Sequence, residues 1–220
     1  MIQDASINKQ EAIFKVAVQM DDPKLLDKVG DSTLAIIEEA LRRKFEVYIY
    51  LVEDLSLIKN CPVAYAKQVV NINIKNEDFI ELHKPRLLQL NTCKVILVRQ
   101  DPPFNMQYIT ATHILDKIKK TVKIINNPRS IRNSPEKIFV TNFFHLMPPT
   151  IITKDLQIIH DFIKKFKKLV IKPLYGNGGK DIFLLSKKDP NLKVIIEKLL
   201  SEKEHLIVQK FIDGVKKGDK

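Results

Sequence analysis

With 220 residues, 45% of them hydrophobic, the chain can form one large domain or two small ones around a proper core, which excludes a disordered tail. Its formal charge of +11 rests on 37 basic residues, only six of them arginine, and tryptophan is absent; this favours a solvated lysine surface with some field for anionic small substrates over nucleic-acid readout. No apolar run approaches a membrane span, the N-terminus lacks a secretory leader, and Cys61 and Cys93 have no metal-ligand spacing, so a cytoplasmic protein with neither zinc nor membrane contact is expected.

In chain order, "FKVAVQM" (14–20) reads as a strand. A helix follows over 31–44, capped by Asp31 or Ser32, with Leu34, Ile37 and Leu41 on one face. "EVYIYLV" (46–52) is a second strand, and this β-α-β opening predicts a parallel, Rossmann-like sheet. Residues 66–74 read as a strand or hairpin arm, 94–99 as a strand, 106–120 as a helix and 122–126 as a short strand. Asn127-Pro128 breaks the pattern, and a helix restarts at Ser134-Pro135, with Ser134 as N-cap. An extended piece (148–155), a helix (156–167), strands at 168–174 and 181–185, an Asn191-capped helix (191–200) and a last strand (205–212) complete the chain. The expected organisation is a domain of residues 1–133 followed by one of 134–220.

Three of the six glycines, Gly176, Gly178 and Gly179, lie in "LVIKPLYGNGGKDIFLL" between two strand-like runs. A P-loop would need a serine or threonine after Gly179-Lys180 and a helix beyond it; the chain has Asp181 and a strand, and a Rossmann fingerprint fails for the same reason. The loop is therefore the tip of a strand–loop–strand unit. It is either an ordinary hairpin turn or a lid whose amides meet phosphate. Lys172 ends the first strand at the sheet rim, and Lys137 sits in the first helical turn after Ser134, where a cation opposes the helix dipole by about 0.3–1 kcal/mol unless an anion binds. Two such lysines beside a glycine loop make nucleotide phosphate the leading ligand.

Taken together, "NPRSIRNSPEKIF", "VIKPLYGNGG", "VQKFIDGVKKGDK", "RQDPPFNMQYITATHIL" and "DSTLAIIEEALRRKFEV" resemble, in order and over nearly the whole chain, the bacterial glutathione synthetases of the ATP-grasp superfamily. The resemblance implies an α/β fold: a Rossmann-like, pre-ATP-grasp substrate domain, then the first part of an ATP-grasp α+β domain. It implies a magnesium-dependent ligase that phosphorylates the carboxylate of γ-glutamylcysteine with ATP and lets the amine of glycine attack the acyl phosphate. A homo-oligomer is expected in the full-length family. Two other readings stay open here: a different ATP-grasp carboxylate–amine ligase, and a non-catalytic basic α/β module that binds polyanions.

Carried over by motif, the resemblance puts Lys137 and Lys172 on ATP phosphates and Gly176, Asn177, Gly178 and Gly179 in the lid. It puts Gln209, Lys210, Phe211 and Ile212 on the strand that meets adenine, Asp219 on the ribose, and Arg99 and Asp101 near the substrate. Tyr175 and Asn133 stand where the family favours aspartate, and the loop "DDPKLLDKVGD" is shorter than usual and lacks an Ile-Asn pair. The family continues beyond "KGDK", and its magnesium ligands belong to that later portion, so none is assigned here. Residues 1–220 alone are accordingly expected to be inactive and self-associating.

Overall fold

The computed structural model describes residues 14–176, 178–214 and 218. They form two compact units: one of residues 14–101 and 106–132, the other of 102–105 and 133 onward.

The first unit carries strands β1 (Lys15–Gln19), β2 (Glu46–Tyr50), β3 (Leu55–Ile58), β4 (Cys61–Ile72), β5 (Ile80–Leu82), β6 (Arg86–Gln89), β7 (Val95–Val98) and β8 (Lys123–Ile125). Its helices are α1 (Ser32–Arg42), α2 (Met106–Leu115) and α3, which starts at Pro128 and ends at Asn133. The sheet order is β3-β4-β2-β1-β7-β8, with β5 and β6 also paired to β4. Strands β2, β1, β7 and β8 run parallel, and β4 joins β2 antiparallel. Both faces are packed. Ala17, Tyr48, Ile96 and Ile124 share one core with Ala111 and Leu115 of α2, while Val16, Val18, Val47 and Ile49 share another with Leu34 and Ile37 of α1. This is why β1 and β7 read as continuous apolar runs. Cys93 lies in the α2-side core, and both cysteines are free thiols.

Several local expectations change. The cap of α1 is Asp31, whose carboxylate accepts from the Thr33 and Leu34 amides. The arm expected at 66–74 is a twelve-residue strand, β4, closed onto β3 by a turn at Lys59 (φ 48°) and Asn60 (φ 62°). Two successive left-handed residues are what a tight hairpin needs, and the Lys-Asn pair is a weak spelling of it. Asn127-Pro128 starts a helix, since the Asn127 side chain accepts from the Arg129 and Ser130 amides with Pro128 at the first position.

The second unit carries α4 (Glu136–Phe139), β9 (Thr150–Thr153), α5 (Leu156–Phe166), β10 (Lys168–Pro173), β11 (Phe183–Ser186), α6 (Leu192–Ser201) and β12 (Leu206–Lys210). Its antiparallel sheet has the order β11-β10-β12-β9. One face packs on both longer helices: Leu169, Ile171, Leu185, Leu206 and Val208 meet Ile159 and Ile163 of α5 and Ile196 and Leu199 of α6. Each such side chain removed from water contributes about 1.5–3 kcal/mol. Ser134 does not cap α4: the N-cap position is Pro135, without a side-chain bond, and α4 is one turn long. Asn191 makes no side-chain cap either; the Asp189 carboxylate accepts its amide instead.

Candidate functional site

In the second unit the strand register decides which side chains share a face. Val170 lies opposite Gln209, and Lys172 opposite Ile207. Their neighbours Leu169, Ile171, Leu206 and Val208 point to the helices, so Lys172 and Gln209 stand on the other face. There Gln209 donates to the Thr150 hydroxyl at 3.0 Å. Lys172 is half-buried and has no hydrogen-bond or ion-pair partner among the described residues.

Lys137 comes to the same place. Its Nζ donates to the Pro173 carbonyl at 2.9 Å and also to the Gly176 carbonyl, the first turn of the β10–β11 loop. The helix-dipole argument does not apply to so short a helix; what positions Lys137 is this pair of carbonyls. Burial pushes its pKa down, the nearby Lys172 charge adds to that, and Glu136 opposes it. Two ammonium groups that repel one another on a half-buried surface favour an anion between them. Beyond them the loop turns through Gly178 (φ 61°) and Gly179 (φ 75°), left-handed positions that suit glycine. A hollow of about 490 Å³ in this unit is lined by Pro173, Tyr175, Gly176 and Asp181 among others.

The remaining nucleotide candidates divide. The Lys210 side chain lies on the helix face, 5.9 Å from the Phe166 ring centre, while its amide donates to Pro149 and that of Phe211 to Lys168. Ile212 is exposed just past β12. Asn177 and Asp219 lie outside the described residues.

In the first unit, Arg99 and Asp101 follow β7. Arg99 Nη2 donates to the Ser32 hydroxyl at 2.7 Å and its Nε to the Thr33 hydroxyl at 3.2 Å, which holds the guanidinium at the start of α1. The Asp101 amide donates to Asp21 Oδ2 at 2.6 Å. Burial pushes the Asp21 carboxyl up; the Asp101 amide opposes this, and the charges of Asp101 and Glu53 add to it. Tyr108 completes the group: its hydroxyl donates to the Gln100 carbonyl at 3.3 Å, and burial, then Asp21 and Asp101, push its pKa up. Sequence reasoning missed Gln19, Asp21 and Tyr108. The available signal was a glutamine closing the apolar run "VAVQM", where a buried amide must have partners. A larger hollow of about 670 Å³ in this unit is lined by Asp22, Pro23, Lys24 and Lys28 of the loop after β1, and by none of the binding residues carried over by motif.

An α/β unit with a parallel core, joined to an antiparallel sheet that packs helices on one face and shows lysines and a glycine turn on the other, is the plan of an ATP-grasp ligase. D-cycloserine synthetase DcsG shares this fold (TM-score 0.58, 14% identity, 91% of this chain and 60% of that one). So does D-alanyl-alanine synthetase A from Vibrio cholerae (TM-score 0.59, 11% identity, 92% and 61%).

The family described as "Prokaryotic glutathione synthetase, N-terminal domain" matches residues 14–132, and "Prokaryotic glutathione synthetase, ATP-grasp domain" matches 136–220; the chain belongs to the prokaryotic glutathione synthetase family. Relatives named glutathione synthetase include those of Brucella melitensis (42% identical over 208 residues) and Agrobacterium fabrum (42% over 209). The match covers 94% of this chain but 66% and 65% of those relatives' lengths.

Proposed function

We propose that the chain is the substrate-holding and nucleotide-binding part of a glutathione synthase, which joins γ-glutamylcysteine to glycine at the expense of ATP. The observation that carries this is that Lys137, bonded to the Pro173 and Gly176 carbonyls of the glycine turn, lies within electrostatic reach of Lys172, whose ammonium has no partner among the described residues. Family membership supports the choice of substrates.

The chemistry follows from the weakness of a carboxylate as an electrophile. A carboxylate oxygen of the dipeptide attacks the γ-phosphorus, the bond from phosphorus to the ADP oxygen breaks, and ADP leaves with the electron pair. The acyl phosphate then accepts the amine of glycine at its carbonyl carbon. The C–N bond forms, the C–O bond to phosphate breaks, and phosphate and one proton depart. Such a transfer needs alignment and charge neutralisation more than a protein nucleophile. In this reading Lys172 and Lys137 neutralise phosphate oxygens, the amides of the glycine turn close over them, and the C-terminal end of β12, Gln209 and Lys210 with Phe211 and Ile212 just beyond, receives the adenine. Asn177, Asp219 and Arg99 keep the roles that family resemblance gives them.

ATP-grasp ligases work with a divalent metal, which supplies further charge to the phosphates. No group of three or more His, Cys, Asp or Glu side chains among the described residues could hold one. No helix of the described residues is long and apolar enough to cross a membrane; cytoplasmic location and homo-oligomeric assembly are part of the proposal.

The test is calorimetry with ATP on this chain. Lys172→Ala should weaken binding by about 1.5–3 kcal/mol, the value of a charge-assisted contact. In the enzyme expressed from its gene, the same change should depress formation of glutathione from ATP, γ-glutamylcysteine and glycine. Equal ATP affinity in variant and parent would remove Lys172 from the site and the proposal with it.

A further inference from the structure

The parallel sheet of the first unit has a point where its connections diverge. Helix α1, which follows β1, packs on one face, and α2, which follows β7, packs on the other. The carboxyl ends of β1 and β7 are therefore a topological switch point, the usual ligand position in such sheets. The residues there are Gln19, which ends β1, Asp21 two residues on, and Arg99, Gln100 and Asp101 after β7.

Their hydrogen bonding is unbalanced in one direction. Asp21 gives one oxygen to the Asp101 amide and has no ion-pair partner among the described residues. Gln19 is fully buried; its Nε2 donates to Gln100 Oε1, and its own Oε1 has no partner. A buried acceptor left without a donor is costly to the fold. On the other side, Arg99 is held by the hydroxyls of Ser32 and Thr33 and faces no carboxylate within ion-pair distance among the described residues. The switch point thus presents carboxylate and amide acceptors that need N–H donors, next to a fixed guanidinium that needs an anion. A hydroxyl would supply one donor and no charge; a primary ammonium supplies three donors and the compensating positive charge.

We propose that Asp21, backed by Gln19 Oε1, reads the primary ammonium of the amino-acid head of the dipeptide, with Arg99 taking the carboxylate beside it. This rests on the ligase reading above and adds to it the residues that decide which acid is admitted. The γ-glutamyl head carries ammonium and carboxylate on one carbon, which these groups match; a plain dicarboxylic acyl group would leave Asp21 and Gln19 unsatisfied.

The test compares γ-glutamylcysteine with N-glutarylcysteine, which lacks only the amino group, by calorimetry on the parent chain and on Asp21→Asn. The asparagine keeps an acceptor for the Asp101 amide and removes the charge. The parent is expected to prefer the amino compound on the order of ten- to a hundredfold, and Asp21→Asn to bind the two within about twofold of each other. Should that variant fail to fold, Gln19→Met removes the orphan acceptor, and a smaller preference than the parent's is the expected result. Undiminished preference in the folded variant, or equal binding of both compounds by the parent, overturns this assignment alone. No binding of either compound by the parent overturns the dipeptide-ligase reading together with it.

Discussion

The parallel strands of the first unit are buried on both faces, between α1 and α2, whereas in the second unit α5 and α6 both pack on one face of the sheet. On its other face stand Lys172, Gln209 and Thr150. The difference shows where each unit can afford polar side chains. A sheet covered on both sides has room for function only at its strand ends, and Gln19, Asp21, Arg99 and Asp101 are there. A sheet whose two long helices share one face can place function along a strand on the other, and Lys172 sits within β10 itself.

A cavity in the second unit's single core tests this contrast most forcefully. Ile159 is fully buried against β10 and β12, and Ile159→Ala should cost about 2–5 kcal/mol. Hydrogen exchange should then show the amides of β10 and β12 opening while β1 and β7 stay protected. Simultaneous loss of protection in β1 and β7 would mean that the two units unfold as one.

In the first unit the matching weak point is electrostatic. Arg132 of α3 bonds to Asp116 and, at 3.1 Å, to the Thr112 hydroxyl. Burial alone would raise the Asp116 pKa, but Arg132 and Lys119 outweigh it and hold the carboxyl below its ordinary value. A carboxyl so lowered stabilises the fold above its unfolded value of about 4 and loses that contribution as pH falls through the lowered folded value. Asp116→Asn should therefore cost about 1–3 kcal/mol at neutral pH, with denaturation curves converging on the parent's in acid. A constant difference across pH would exclude the ion pair as the cause.

Two glycines sharpen the picture of the turn. A Cβ at Gly178 meets nothing within 4 Å, so Gly178→Val acts only through its φ of +61° and should cost about 1–2 kcal/mol, read mainly as weaker ATP binding. Gly176 has no such φ, and the nearest atom to its Cβ would be Pro173 Cβ at 3.4 Å, so Gly176→Ala should lie within about 0.5 kcal/mol of the parent. Equal effects at the two positions would argue against a conformational role for the turn.

The smallest effect is protonic. Lys137 has a pKa pushed below the ordinary lysine value of about 10.4, and a bound phosphate would raise it again. ATP binding should then take up protons in the alkaline window between the lowered and the ordinary value. Calorimetry in buffers of different ionisation enthalpy measures this uptake. Lys172→Ala, which removes a repelling charge, should shrink it. Uptake unchanged by that substitution would uncouple the two lysines.

Much of this was legible from residue order. Runs such as "KVILVR" and the periodic face of Leu34 and Ile37 state strand and helix directly, because burial on a fixed side imposes the spacing. The β3–β4 hairpin was not, since a Lys-Asn turn lacks the glycine that advertises left-handed backbone. Nor was the one-turn α4, where Ser134 and Pro135 spell a cap that the chain does not use. Lys137 and Lys172 stood out by company with the glycines. Asp21 and Gln19 did not, because what marks them is an unmet partner, and that is a property of the folded sheet end rather than of any string of letters.

The thiol in the α2-side core has a bearing on the proposed product. An enzyme that makes a thiol tripeptide works beside the oxidised form of that compound, and a protein thiolate would exchange with it. Burial pushes Cys93 up to about 11, with Lys15 and Thr92 opposing. At neutral pH the group therefore stays a thiol, and the side chain is only 3% exposed. Cys93 is thereby kept out of thiol traffic, while Cys61, at the start of β4 and half-exposed, is the position where glutathione disulfide or an alkylating probe would register first.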